Sequence, residues 1–356
     1  MRKVLIIVLV LSLIFSLSSC SKTAKADEVL PASSESLQPK QTEPLIPTEP
    51  PIQEPAKVIE KSICPLTGLP IAPEQVNLRP IAVMIDNMAS ARPQSGLINA
   101  ELVYEMPAEG GITRYLAIYH HQNTDKIGPV RSARSYFIDK AIEFNAIFIH
   151  AGGSPAALKD IQTLKVDSLN ELKGERNFWR ARDRKAPHNL YTSTKLTREV
   201  MDTKKLSNEK WSGNMNFSED FLDLDGKATI GLVIDYKNNY KAGYEYDEKQ
   251  KLYFRTINGV RVRDKETNAE VSTVNIIVEK VNARIVDDVG RLELSNIGSG
   301  RGYFITGGKL IEIEWKKDSR LGKTKYTDLK GNVITLNKGN IWIQVVPDYA
   351  TIEIKG

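Results

Sequence analysis

The chain predicts an α/β N-terminal region, a mixed and partly parallel sheet with flanking helices, followed by a β-rich C-terminal region. Three observations carry this. Between Arg79 and Leu164, apolar strand-like runs alternate with stretches of helical periodicity. From Ala228 onward nearly every run reads as an alternating strand, with Asn258-Gly259 and Lys330-Gly331-Asn332 as turn signals. The composition changes near Trp211. The expected organisation is therefore an α/β domain over 62–210, a linker over 211–227 and a β-rich domain over 228–356, with no internal repeat.

The first residues bear on location. Met1-Arg2-Lys3 is a short basic start, and Val4 to Leu17 is an apolar run too short for a comfortable membrane span. It ends in Leu17-Ser18-Ser19-Cys20, which resembles the bacterial lipobox, where small residues precede a cysteine that is acylated and becomes the first residue after cleavage. Residues 1–19 are thus expected to be a lipoprotein signal peptide, with Cys20 inserting its acyl chains in the lipid bilayer. Residues 20–61 read as a disordered tether. The segment carries seven of the 17 prolines, with Ser, Thr, Glu and Gln between them, and cannot bury enough apolar surface to offset its ordering entropy. Extended, it would reach on the order of 100 Å from the membrane.

In the α/β region, RPIAVMIDN (79–87) is a buried strand ending in Asp86-Asn87. AELVYEM (100–106) and ITRYLAIYH (112–120) flank Gly110-Gly111 and predict a hairpin. Residues 126–131 read as a short strand, with Ser132 as N-cap of a helix whose apolar stripe is Phe137, Ile138, Ala141 and Ile142. AIFIH (146–150) is a further buried strand. Gly152-Gly153 then turns into Ser154-Pro155, an N-cap followed by proline at the first helical position.

On such a sheet, ligands lie beyond the carboxyl ends of the strands. Asp86, Asn87, Arg131 and His150 end three strands, and parallel strands would put them on one rim with Arg114. Arg134 sits where a helix begins, against the helix dipole. With the backbone N–H groups of Gly152 and Gly153, the arginines suit a phosphate or a carboxylate. The alternative is an internal network in which Arg131 and Arg134 pair with Glu101, Glu105 or Glu109. RNFWRARDRKAPHNLY (176–191) is a basic, aromatic loop, and its His188, held between Pro187 and Asn189, is expected to fold back toward His150. Asn189 joins the ligand-binding set.

Other classes are disfavoured. Loss of Arg2 and Lys3 with the signal peptide leaves 47 Lys+Arg against 44 Asp+Glu, too balanced for nucleic-acid binding. With Cys20 lipidated, Cys64 has no disulfide partner and reads as a small semi-buried residue. His120 and His121 are adjacent, and in a strand they would face opposite sides and could not chelate together. No metal site is expected, since Asp86, His150 and His188 lack short ligand spacing. No motif calls for a cofactor, and GxSxG, HExxH, CxxC and Walker patterns are absent, leaving catalytic residues unassigned.

The blocks PLTGLP, RPIAVMIDN, ARPQSGL, AELVYE, EGGITRYLAIY, IGPVRSARSYF, HAGGSP and APHNLY, in this order over about 65–190, resemble the YerB-like lipoprotein family. TGGKLIEIEWKK and TKYTDLKGNVITLNKGNIWIQVVP are similar to that family's second domain. The resemblance implies a membrane-attached lipoprotein of Gram-positive-type bacteria, without implying a reaction. The order of Asp86, Arg114, Arg131 and the Gly-Gly turn also resembles LytR–CpsA–Psr phosphotransferases, which bind polyprenyl pyrophosphate through arginines. This chain departs from them: Arg131 is followed by Ser132 where that family's SxPRD-type motif has an aspartate. The expected function is a cell-envelope binding or regulatory protein recognising an anionic glycan or lipid-linked precursor. The alternatives are an envelope phosphotransferase or hydrolase with His150 or His188 as base, or an adaptor for an envelope protein.

Overall fold

The structure is a computed structural model that describes residues 62–356 except 210, 212 and 214. The signal peptide, Cys20 and the tether lie outside the described residues.

An eleven-stranded mixed sheet runs through both regions. Five of its strands come from the α/β region: Leu102–Pro107, Thr113–Tyr119, Ile81–Asp86, Ile147–His150 and Ser168–Asn170, in that spatial order. The first two form the expected antiparallel hairpin, and Gly110 and Gly111 at its tip both have positive φ, 75° and 72°. Ile81–Asp86 runs antiparallel to Thr113–Tyr119 and parallel to Ile147–His150. The sheet continues across Leu102–Pro107 into the C-terminal strand Ile341–Pro347, which pairs parallel with it in the register Ile341↔Leu102 to Gln344↔Glu105. Beyond it lie Asn275–Val281, Gly298–Thr306 and Lys309–Lys317. The two regions thus share hydrogen-bonded strands. The expected linker is also partly built in: Trp211 is buried, and Lys227–Ala228 is an edge strand on Lys309–Lys317.

Strand periodicity divides the core. Ala82 and Met84 face one side with Leu102, Tyr104, Leu116 and Ile118, while Ile81, Val83 and Ile85 face the other with Val103, Tyr115 and Ala117. The first face is covered by two helices, α1 (Ser135–Ile142), through Tyr136, Phe137, Ile138 and Ala141, and α2 (Pro155–Thr163), through Ala157. The second face is covered by a six-stranded antiparallel sheet from the C-terminal region, through Leu232, Ile234, Tyr244 and Tyr253, and by Met201 of α3 (Thr194–Thr203). With both faces covered, Ile81–Asp86 is buried at every position.

Two local expectations are corrected. Residues 126–131 form isolated bridges rather than a ladder, and Val130 meets Ile85 antiparallel, so Arg131 does not end a parallel strand. The N-cap of α1 is Arg134, not Ser132, and makes no side-chain cap; Ser154 does cap α2, accepting from Ala157 N at 3.2 Å.

Candidate ligand-binding rim

The rim is built where Ile81–Asp86 and Ile147–His150 end. Residues 129–133 are threaded between these ends. Asp86 N donates to Pro129 O and Arg131 N to Met84 O, both at 2.9 Å, on one side. Ala151 N donates to Arg131 O and Ala133 N to Gly152 O, both at 3.0 Å, on the other. The Ala133↔Gly153 bridge sets the starts of α1 and α2 side by side, and the register Asp86↔Arg114 adds Arg114 to the same end.

Asp86 is fully buried and organises the centre. Its Oδ1 accepts from Met88 N at 3.1 Å, and its Oδ2 lies 2.7 Å from His188 Nδ1 and 3.1 Å from Arg131 Nε. The Arg131 Nε–H does not point at that oxygen well enough to form a hydrogen bond, so this contact is an ion pair by proximity. The two Nη groups of Arg131 donate to no partner among the described residues, and its side chain is 23% exposed. Its charge is oriented and its outer edge is free.

Arg134 is committed. Its Nε and Nη2 grip the two oxygens of Glu109, the latter at 2.8 Å, and its Nη1 donates to Ala133 O at 2.7 Å. Arg114 donates to the same Glu109 at 3.2 Å and to Ser132 O at 3.1 Å. Burial would raise the Glu109 carboxyl, but the hydrogen bond from Arg134 and the charges of Arg114 and Arg134 overcome it and hold the carboxyl low. Arg114 is pulled down to about 10, by burial first and then by the charge of Arg134. Three guanidiniums therefore share two carboxylates, and the rim keeps an excess positive charge. Glu101 and Glu105 do not take part. Glu105 is buried against Arg255 at 2.9 Å, and Glu101 accepts the backbone N–H groups of His120, His121 and Gln122.

The remaining expected ligand contacts are spent internally. Asn87 donates to Thr113 Oγ1 and Tyr240 OH and accepts from Arg92 and Gln94, which saturates it. Gly152 N donates to Asn170 Oδ1 at 2.9 Å, and Gly153 packs where a Cβ would come within 3.2 Å of Ala133 and Leu158. Asn189 closes its own loop onto Arg180 and Ala181. His150 is buried, stacks on Phe148 and bonds Gly152 O through Nδ1; burial pulls it down to about 4. It pairs with Gly152 and not with His188. Arg92 and Gln94, which lock Asn87, lie in the ARPQSGL block but carried no separate signal in the sequence.

The expectation for His120 and His121 is overturned. The strand ends at Tyr119, and ligand atoms of both histidines lie within 4.8 Å of one another and of Cys64. The extended backbone stops because Glu101 draws three successive N–H groups onto one carboxylate. A cleft of about 600 Å³ lies away from the rim, lined by Phe144, Trp211, Ile277 and Tyr326. Two of its polar groups, Glu143 and Thr324, are bonded to each other.

The fold joins two regions through one sheet, and the sequence places the chain in a two-domain family of unknown function. Residues 66–207 match the N-terminal domain and 232–343 the C-terminal domain of the family described as "Protein of unknown function (DUF3048)", and the chain belongs to this family. It is 35% identical over 300 residues to "Putative lipoprotein YerB" of Bacillus subtilis (strain 168), covering 83% of this chain and 89% of that one. The crystal structure of the Bacillus subtilis YerB protein is similar, with a TM-score of 0.75 at 34% identity over 82% of this chain and all of that one.

Proposed function

We propose that the protein is a lipoprotein held by acylated Cys20 on the outer face of the cell membrane. Its rim binds a phosphate- or carboxylate-bearing envelope ligand, such as a phosphorylated glycan or a lipid-linked precursor. The observation that supports this is Arg131: a guanidinium oriented by buried Asp86, with its Nη edge unpaired among the described residues, in a cluster of excess positive charge. A bidentate fork of this kind matches phosphate and carboxylate. Arg114 and Arg134 supply background charge rather than direct contacts.

The test is calorimetric titration of the full chain in detergent with inorganic pyrophosphate and with a polyprenyl pyrophosphate. Arg131→Ala should weaken binding at least tenfold, about 1.4 kcal/mol. It should also lower stability by about 1–3 kcal/mol, because buried Asp86 loses a cation but keeps His188 and the Met88 N–H, so binding is compared on the folded variant. Absence of saturable binding, or binding unchanged in the variant, would sink the reading.

One observation favours a second reading, an envelope phosphotransferase or hydrolase. The 2.7 Å bond from His188 to buried Asp86 orients the imidazole as in an acid–base pair, which would leave Nε2 to take a proton from an attacking hydroxyl. Release of phosphate from lipid pyrophosphate, abolished in His188→Gln, would establish it.

A further inference from the structure

Cys64, His120 and His121 lie on the far side of the sheet region from the rim's chemistry, and neither reading of the rim uses them. Cys64 is fully buried in a tight turn, where Cys64 N donates to Leu69 O and Gly68 N to Cys64 O, both at 2.8 Å. Its Sγ is 3.7 Å from His120 Nδ1. For a tetrahedral zinc ion with Zn–S of about 2.3 Å and Zn–N of about 2.05 Å, the sulfur-to-nitrogen separation is about 3.6 Å. An S–H···N hydrogen bond of 3.7 Å, by contrast, is long.

The surroundings orient the ligands as metal sites do. The carboxylate of Glu101 holds the backbone of the two histidines from beneath, with bonds of 3.0 Å to His120 N and 2.9 Å to His121 N, and stands 3.0 Å from His121 Nδ1. The ring of Trp211 packs edge-on to His120, and Arg198 takes the His120 carbonyl. His121 Nδ1 is buried without a hydrogen bond. A buried polar atom left in this state points to a missing partner. The His121 side chain is 11% exposed, which gives an ion a way in.

We propose that Cys64, His120 and His121 form a binding site for one thiophilic divalent cation of the zinc class. A solvent molecule completes the tetrahedron and Glu101 serves as the outer carboxylate that fixes the histidines. The thiol gives up its proton to solvent on binding, and both imidazoles ligate as neutral rings. The ion ties Cys64, near the start of the described residues, to the end of Thr113–Tyr119.

The test uses the full chain carrying Cys20→Ser, so that Cys64 is the single thiol. After chelator treatment, cobalt(II) is titrated in and the spectrum recorded. One equivalent should give the intense visible bands of tetrahedral cobalt and a thiolate-to-cobalt charge-transfer band, and zinc should displace it stoichiometrically. Cys64→Ala should abolish the charge-transfer band. His121→Ala, at a partly exposed position that the core does not need, should weaken cobalt affinity at least tenfold while leaving the circular dichroism unchanged. Zinc should raise the unfolding temperature of the unsubstituted protein and not of His121→Ala. No thiolate band, a band that survives Cys64→Ala, or full affinity in a folded His121→Ala would overturn the proposal.

Discussion

Replacing Arg255 by methionine tests how the two regions are held as one body. Arg255 and Glu105 are both fully buried. Arg255 Nη2 reaches both Glu105 oxygens, at 3.0 and 2.9 Å, and the guanidinium lies over the Tyr244 and Trp342 rings. Removing one member of a buried pair costs about 3–5 kcal/mol, because the other charge is left without compensation. Here the carboxylate keeps four neutral donors, Thr113 and Tyr240 on Oε1 and Trp342 and Gln344 on Oε2, which places the cost near the lower end. The expected loss is about 3 kcal/mol, a fall of about 1 M in the urea midpoint for an m-value near 3 kcal/mol/M. These donors come from the α/β region, the second sheet and the shared strand Ile341–Pro347, so the loss should appear in one transition for the whole unit. The double variant Glu105→Leu/Arg255→Met should cost clearly less than the sum of the single changes. Arg255→Met costing under about 1 kcal/mol, or splitting the transition in two, would refute the reasoning.

Three further outcomes are expected. Glu109→Gln removes the carboxylate shared by Arg114 and Arg134, adding one positive charge to the rim; pyrophosphate affinity should rise about fivefold, for about 1 kcal/mol of added attraction, with a steeper salt dependence in titration. Stability should fall as pH drops from 6.5 toward 4, because the unfolded chain takes up protons that buried His150 and His120, both held at about 4, refuse. Each histidine contributes up to about 3 kcal/mol, and urea midpoints at pH 7.5 and 5 should show His150→Gln with a shallower loss. Ser154→Ala should cost about 1 kcal/mol by removing the cap on Ala157 N, read as a lower thermal midpoint with an unchanged spectrum.

Much of the α/β layer was legible because its signals are local. Ser154-Pro155 marks a helix start by chemistry contained in two residues, and Gly110-Gly111 marks a hairpin tip in the same way. Strand pairing is not local. The nearly continuous apolar run 341–347 announces a buried strand but not that its partner is Leu102–Pro107, more than two hundred residues away, so a ladder of backbone hydrogen bonds joins the two regions. The misread ends have a common cause. At Ser132 and at His120, the backbone is diverted by a side chain or strand from elsewhere: Arg114 takes the Ser132 carbonyl, and Glu101 takes the N–H groups that would have continued the strand. Residue type alone does not reveal such captures.

The rim shows how charge balance, rather than residue type, separates an arginine committed to an internal pair from one with unspent donors. Arg131 and Arg134 stand three apart in the sequence and look alike there. Glu109 comes from the hairpin tip, whose reversal at Gly110 and Gly111 brings it back beside Arg114, so Arg134 finds a two-oxygen partner at its own level. Arg131 meets only Asp86, whose second oxygen already takes His188 and whose first takes Met88 N. One carboxylate oxygen divided between two cations cannot saturate a five-donor guanidinium. The unspent donors belong to a side chain that is 23% exposed. The unspent positive charge at this rim therefore follows from arithmetic between two carboxylates and three arginines, and on the proposed function moving one charge, at Glu109 or at Arg131, should move pyrophosphate affinity in opposite directions.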